Sequence, residues 1–252
     1  MAKPHELLIL VTGGARSGKS TFAERLAAQL AEEREAARGE AAARGGRLIY
    51  LATSETNDEE MAARVAAHRA ARPATWTTVE CPLEVPAAVR EHAGPAGTTP
   101  AAVFLLDCVT FWVSNLLFAG GSFGGSEPPQ GFNYDDSLIS AEQERAVTER
   151  VSAAVDDLLA ALAETGATLV AVTNEVGLGV VPEYPLARLY RDQLGWANQR
   201  LARAADRVYF LVSGYPLDVK MLASPWPEAG APAGVASDSH PVPPFPVKES
   251  DQ

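Results

Sequence analysis

The chain is poor in cysteine, in basic residues, in aromatics and in long apolar runs, and the shortages narrow what it can be. Cys81 and Cys108 are its only cysteines in 252 residues, too few for a disulfide framework and without the paired spacing of a zinc site. A chain of this length buries a core without a staple, so both are read as reduced thiols. Thirty-two acids against 21 Lys plus Arg leave a formal charge of −11, a field that repels phosphate backbones and anionic lipid. General nucleic-acid binding is not expected. The first apolar run, Leu7 to Thr12, is far short of a spanning helix, and no charged segment with a cleavage site precedes it. The expectation is a cytoplasmic protein with no stable membrane insertion. With 47% hydrophobic and 21% charged residues, the composition is that of a soluble folded domain.

What is present is an alternation of short β-branched or leucine-rich runs with longer helical stretches, the pattern of βα units on a parallel sheet. The strands are read at Leu7 to Thr12, Leu48 to Ala52, Thr77 to Glu80, Val103 to Asp107, Thr168 to Thr173 and Val208 to Val212. Runs such as LLILV and VFLLD lack polar alternation, as strands buried on both faces do. Helices are read from Lys19 towards Arg38, then over Asp58 to Arg72, Leu83 to His92, Val109 to Phe118, Ser140 to Glu164 and Leu186 to Ala204. The fold class is therefore α/β, with a mainly parallel sheet flanked by helices, in one domain over 1–222. The second half of the first helix, AEEREAARGEAAARGGR, is Ala and charge with three glycines, a solvated segment without a packing face. Gly120 to Gly131 reads as a flexible excursion between helices, and 223–252, rich in Pro, Ala and Ser, as a disordered tail.

The stretch GGARSGKS completes G-x-x-x-x-G-K-[ST] with Gly13, Gly18, Lys19 and Ser20; Gly14, Ala15, Arg16 and Ser17 lie between the two glycines. In such a loop backbone N–H groups wrap a phosphate, the lysine neutralises the outer phosphates and the serine hydroxyl can ligate Mg²⁺. A buried strand enters and a helix leaves, so the helix N-terminus points at the anion. The loop is expected to bind a nucleoside triphosphate, ATP or GTP. An acid on a neighbouring strand end should help hold the metal. Asp107, closing VFLLD, is the first candidate, although it could instead merely cap the helix starting at Val109. Asn174 and Glu175, after TLVAVT, compete for the role.

In EEMAARVAAHRAARP, Arg64, His68 and Arg72 recur every four residues on one helical face, with Arg69 adjoining. Guanidiniums beside an imidazole in an acidic chain suggest a polyphosphate partner. From spacing alone, a solvated face with an incidental histidine is the stronger reading.

Five blocks taken together carry more. GGARSGKS, YLATS, DEEMAARVAAHRAARPATWTTVEC, LLDCVTFWVSNLLF and VTNEVGLGVVPEYPLARLYRDQLGWANQRLARAADRVYFLVSG, in this order from Leu8 to about Lys220, closely resemble the bifunctional adenosylcobinamide kinase/adenosylcobinamide-phosphate guanylyltransferase family of cobalamin biosynthesis. The resemblance implies a RecA-like P-loop fold, a homotrimer, and two successive transfers. Adenosylcobinamide is phosphorylated on its aminopropanol hydroxyl, and GMP then passes from GTP to that phosphate through a covalent histidine. It further implies His68 as the nucleophile, where the family often has two adjacent histidines and this chain has Ala67 and His68. Around the GTP it places Gly13 to Ser20, Ala52, Thr53, Ser54, Arg69, Ala70, Ala71, Arg72, Glu80 and Asp107; from the motif, Mg²⁺ is read on Ser20 and Asp107, with Glu80 an alternative to Asp107. The Ala and charge insertion over 31–46 and the tail after Lys220 depart from the family pattern, and bear on the trimer packing more than on the chemistry. The competing classes are an NTPase switch or regulatory nucleotide-binding protein, and a kinase without the second activity.

Overall fold

The computed structural model describes residues 8–36, 48–54, 73, 75–93, 102–121 and 139–223. The expected helix over Asp58 to Arg72, the segment 37–47, most of the Gly120 to Gly131 excursion and the tail beyond Ala223 lie outside the described residues.

Among the described residues seven strands form one sheet: β1 (Leu8–Gly13), β2 (Leu48–Ala52), β3 (Thr77–Glu80), β4 (Val103–Asp107), β5 (Thr168–Val172), β6 (Arg207–Val212) and β7 (Tyr215–Asp218). Their spatial order is β3-β2-β4-β5-β1-β6-β7, parallel throughout except for the antiparallel β6–β7 pair. Between and after them come α1 (Lys19–Ala36), α2 (Val85–Ala93), α3 (Val109–Phe118), α4 (Ala141–Thr165), α5 (Pro185–Ala204) and the single turn α6 (Val219–Leu222).

The apolar runs of the inner strands are explained by two cores, one on each face. Leu8, Leu10, Ile49, Leu51, Phe104, Leu106, Leu169 and Ala171 face a cluster with helices α2 to α5. Their neighbours Ile9, Val11, Leu48, Tyr50, Val103, Leu105, Val170 and Val172 face the other way, against Ala23, Ala27 and Ala31 of α1. The two-residue alternation of strand side chains thus sorts each run into two half-sets, both buried. Alanines every four residues let α1 lie close on the sheet, and beyond Ala31 it offers only charged or partly exposed residues, as its composition predicts.

Local chemistry sets the ends. Ser140 caps α4 in a reciprocal capping box with Gln143, and Gly166 closes that helix in the left-handed region. The strand boundaries agree with expectation to within one residue, apart from β7, which the sequence reading lacks. Its residues are exposed or partly so and it contains Pro216, which a sheet tolerates at an edge. Ser213 and Gly214, both at positive φ, make the two-residue turn that joins it to β6.

Removing Phe104, fully buried in the middle of β4, leaves a large void. Phe104→Ala should cost about 3–5 kcal/mol in urea unfolding, whereas Tyr215→Ala, 77% exposed at the edge, should change stability by no more than about 0.5 kcal/mol.

Candidate nucleotide site

Because β1 to β6 are parallel, their carboxyl ends open on one edge, where ligands of such sheets bind. β1 delivers the phosphate loop there, and the loop's shape follows from close packing against β6. Gly13 has φ 148°, and a Cβ on it would sit 2.5 Å from the Leu211 carbonyl oxygen. Gly18, at φ 90°, lies against the β6–β7 turn, whose Gly214 N–H donates to the Ser17 carbonyl at 3.0 Å. Arg16 holds φ 55°, a left-handed conformation costly for a side chain that long. The loop is thus fixed in shape without a ligand.

Lys19 opens α1 and is only 7% exposed, its ammonium donating to the Gly14 carbonyl at 2.6 Å. Burial pushes the ammonium below its usual pKa, while Cys108 and Asp107 nearby act the other way. No carboxylate among the described residues forms an ion pair with it. Two residues earlier the Ser17 hydroxyl is buried without a hydrogen-bond partner among the described residues. A desolvated cation, in a loop that excludes a Cβ, is what an anionic polyphosphate would satisfy.

The alternative reading of Asp107 as a helix cap does not hold: the residue before α3 is Cys108, and no side chain caps that helix. Asp107 closes β4, and its Oδ2 accepts the Tyr50 hydroxyl at 2.7 Å. Asp107 and Ser20 offer oxygen donors, and no cluster of three or more His, Cys, Asp or Glu exists among the described residues. That donor set suits Mg²⁺, which takes one or two protein oxygens and completes its shell with phosphates and water. Ser20 follows Lys19 on α1, half-buried.

The remaining expected residues fall at a second place. Ala52, Thr53 and Ser54 end β2, and Glu80 ends β3 opposite Ala52. At about 4.8 Å per strand, β2 lies roughly 14 Å and β3 roughly 19 Å from β1 along the edge. Thr53 is fully buried; its hydroxyl donates to the Cys108 carbonyl and accepts from the Cys108 N–H, both at 2.8 Å, locking β2 to the β4–α3 junction. His68, Arg64, Arg69, Ala70, Ala71 and Arg72 lie outside the described residues. Cys108 is no rival nucleophile. Burial and the Asp107 charge push its thiol up to about 11, and burial pushes Cys81 up to about 12; both are free and neutral.

One assembly was not foreseen. Thr173 donates to Asn198, Asn198 donates to the Asn174 carbonyl, and Asn174 donates from its backbone and its side chain to the Thr110 hydroxyl, all at 2.7–3.1 Å. The available signal was a pair of amides, Gln193 and Asn198, among the apolar residues on the buried face of α5.

A buried strand, a glycine-rich loop with an embedded lysine and an acid two strands away define a P-loop nucleotide-binding protein on a parallel sheet. Residues 9–219 match the family described as cobinamide kinase / cobinamide phosphate guanyltransferase, CobU. The chain belongs to that family. It is 42% identical over 214 residues to the bifunctional adenosylcobalamin biosynthesis protein CobU of Salmonella typhimurium, covering 85% of this chain and 100% of that protein. It is 39% identical, with the same coverage, to CobU of Escherichia coli, and 37% identical over 211 residues to CobP of Pseudomonas aeruginosa, covering 84% and 96%. Among solved structures it matches the KaiC-like protein PH0186 of Pyrococcus horikoshii, with TM-score 0.38, 16% identity, 82% of this chain and 71% of that chain. It also matches the flagellar accessory protein FlaH of Methanocaldococcus jannaschii, with TM-score 0.37, 14% identity, 84% of this chain and 76% of that chain.

Gly13→Ala should test the loop's construction. The added methyl must push β6 or the loop away, so ATP affinity measured by calorimetry should fall at least about tenfold, about 1.4 kcal/mol, while Gly177→Ala, with open space around it, should bind as wild type does.

Proposed function

We propose that this protein is an adenosylcobinamide kinase and adenosylcobinamide-phosphate guanylyltransferase. It phosphorylates adenosylcobinamide with ATP or GTP and then transfers GMP from GTP to the phosphate just made, releasing pyrophosphate. The observation that carries this reading is the preformed loop with its buried Lys19, which has no ion-pair partner among the described residues, in a chain whose family is defined by these two transfers.

Phosphoryl transfer asks for positioning and charge neutralisation more than for covalent chemistry. The loop from Gly13 to Ser20 holds the phosphates, and Lys19 offsets charge on the outermost of them. Ser20 and Asp107 would hold Mg²⁺, which when bound neutralises phosphate oxygens and aligns them for in-line displacement. The low dielectric that makes the Lys19 charge costly without a ligand strengthens its attraction to a bound triphosphate.

For the second transfer, His68 is the nucleophile. The neutral imidazole is the nucleophilic form. An imidazole nitrogen attacks the α-phosphorus of GTP; a P–N bond forms, the α–β bridging P–O bond breaks, and pyrophosphate leaves with the electron pair. A phosphate oxygen of adenosylcobinamide phosphate then attacks the same phosphorus and the histidine departs. Dividing the displacement lets one site present GMP to a bulky second substrate. Arg64, Arg69 and Arg72 are assigned to offset the phosphate charge. Ala52, Thr53, Ser54, Ala70, Ala71 and Glu80 are assigned to the GTP surround. The protein works as a homotrimer in the cytoplasm, on small-molecule substrates and without nucleic acid.

Incubation with Mg²⁺ and α-labelled GTP should label the protein, and γ-labelled GTP should not. The adduct should be lost in acid, survive base and be discharged by adenosylcobinamide phosphate. His68→Ala should abolish labelling while keeping at least about a third of the kinase turnover, since that step needs no covalent histidine. Labelling of the His68→Ala protein, or an adduct mapped to another residue, would refute the assignment.

A further inference from the structure

The kinase step requires an alcohol to lose its proton as it attacks phosphorus, and Lys19, Ser20 and Asp107 are all engaged with the phosphates or the metal in the reading above. A proton acceptor in the kinase step belongs within hydrogen-bond reach of the attacking hydroxyl. The strand order points to where it must stand. β5 is the one strand between β1, which carries the phosphate loop, and β4, which carries Asp107, with Val172 level with both Val11 and Asp107. Residues 173–175 therefore leave the sheet between the loop and the acid. Glu80, four strands from β1, does not.

Glu175 is held there at two points. Its backbone N–H donates to the Gly13 carbonyl at 3.2 Å, and its Oε1 accepts the buried Thr12 hydroxyl at 2.9 Å. The residues before it are anchored by the Thr173–Asn198–Asn174–Thr110 network. No cation among the described residues pairs with the carboxylate, and its Oε2 has no partner among them. It is half-exposed at the edge where the substrate must arrive. An anchored carboxylate with one oxygen fixed and the other open has the form of a general base.

We propose that Glu175 is the general base of the kinase step, a role that rests on the functional reading above. The aminopropanol hydroxyl oxygen forms a bond to the γ-phosphorus. The bond from that phosphorus to the β–γ bridging oxygen breaks, and the nucleoside diphosphate leaves with the electron pair. The hydroxyl proton passes to Glu175 Oε2. Oε1 stays on Thr12, so the acceptor does not swing away from the loop. Guanylyl transfer attacks with a phosphate oxygen that carries no proton to remove, and Glu175 has no part in it.

The two half-reactions therefore respond differently to one substitution. Glu175→Gln keeps an oxygen for the Thr12 hydroxyl and removes the basic one. Kinase kcat should fall about 100-fold or more with the KM for ATP within about twofold. Guanylyl transfer to supplied adenosylcobinamide phosphate should stay within about twofold of wild type. Kinase kcat within about threefold of wild type would overturn the proposal, as would a parallel loss of both activities or a loss accompanied by a shifted Mg²⁺ requirement. Should Glu175→Gln not fold, Glu175→Asp decides, with at least a tenfold loss of kinase kcat expected and guanylyl transfer unchanged. A wild-type protein that fails to phosphorylate adenosylcobinamide removes the functional reading itself; a working wild type with an equally working Glu175→Gln removes this proposal alone.

Discussion

The site depends on one unfavourable arrangement, a lysine ammonium buried at the start of α1 whose one hydrogen-bond partner among the described residues is a carbonyl, with the Asp107 charge nearby but not in ion-pair contact. Taking a charge out of water costs several kcal/mol unless it is compensated, and Gly14 offers a dipole where an anion would be needed. The surrounding fold sustains that cost. Six consecutive buried residues in β1 hold the strand that launches the loop, and the close approach of Gly13 to Leu211 leaves the loop no room to relax. The Ser17 hydroxyl, in the same loop, is buried without a partner among the described residues. What is unstable alone becomes favourable when a triphosphate enters, so binding energy is set aside in the structure before the ligand arrives.

Around the loop, the sheet acts as a ruler. One strand position separates β1 from β5 and two separate it from β4, while the ends of β2 and β3 lie three and four positions away. The two halves of the expected site are therefore spaced along one edge, with phosphate chemistry at the centre and the Ala52–Ser54 and Glu80 group towards the flank. Polar side chains buried under that edge fasten the spacing. Thr53 ties β2 to Cys108, Asn115 ties Thr53 to Pro82, and Asn198 ties α5 to the end of β5. Each satisfies groups that would otherwise be buried and unpaired, so loosening any of them costs more than the bond it breaks.

Much of this was legible in the sequence because the informative features are local. Strands buried on both faces leave unbroken apolar runs, and six of the seven were read to within a residue. The phosphate loop is a contiguous motif whose flanking strand and helix could be checked from the same twenty residues. What escaped was non-local or weakly patterned. β7 is short, has no buried face and contains a proline, and only the Ser-Gly turn before it gave a signal. Whether Asp107 capped the next helix could not be told from its neighbours, since the answer rests on where α3 begins, and its actual partner, Tyr50, is 57 residues away. The Thr12–Glu175 bond spans 163 residues, and only the strand order brings the two together. His68 and its arginines lie outside the described residues, and their assignment rests on the resemblance of the surrounding block.

The central claim, that the fold holds a buried cation with no ion-pair partner among the described residues in readiness for a triphosphate, is tested most directly by measuring the stability of Lys19→Met with and without GTP and Mg²⁺. Ligand at about 100 times its Kd should stabilise the wild-type protein by about 2.7 kcal/mol. Methionine has similar length and no charge. The account predicts that the variant alone unfolds at the same urea concentration as wild type or a higher one, and that GTP no longer moves its midpoint. A variant less stable than wild type whose midpoint GTP still raises by the full amount would contradict it.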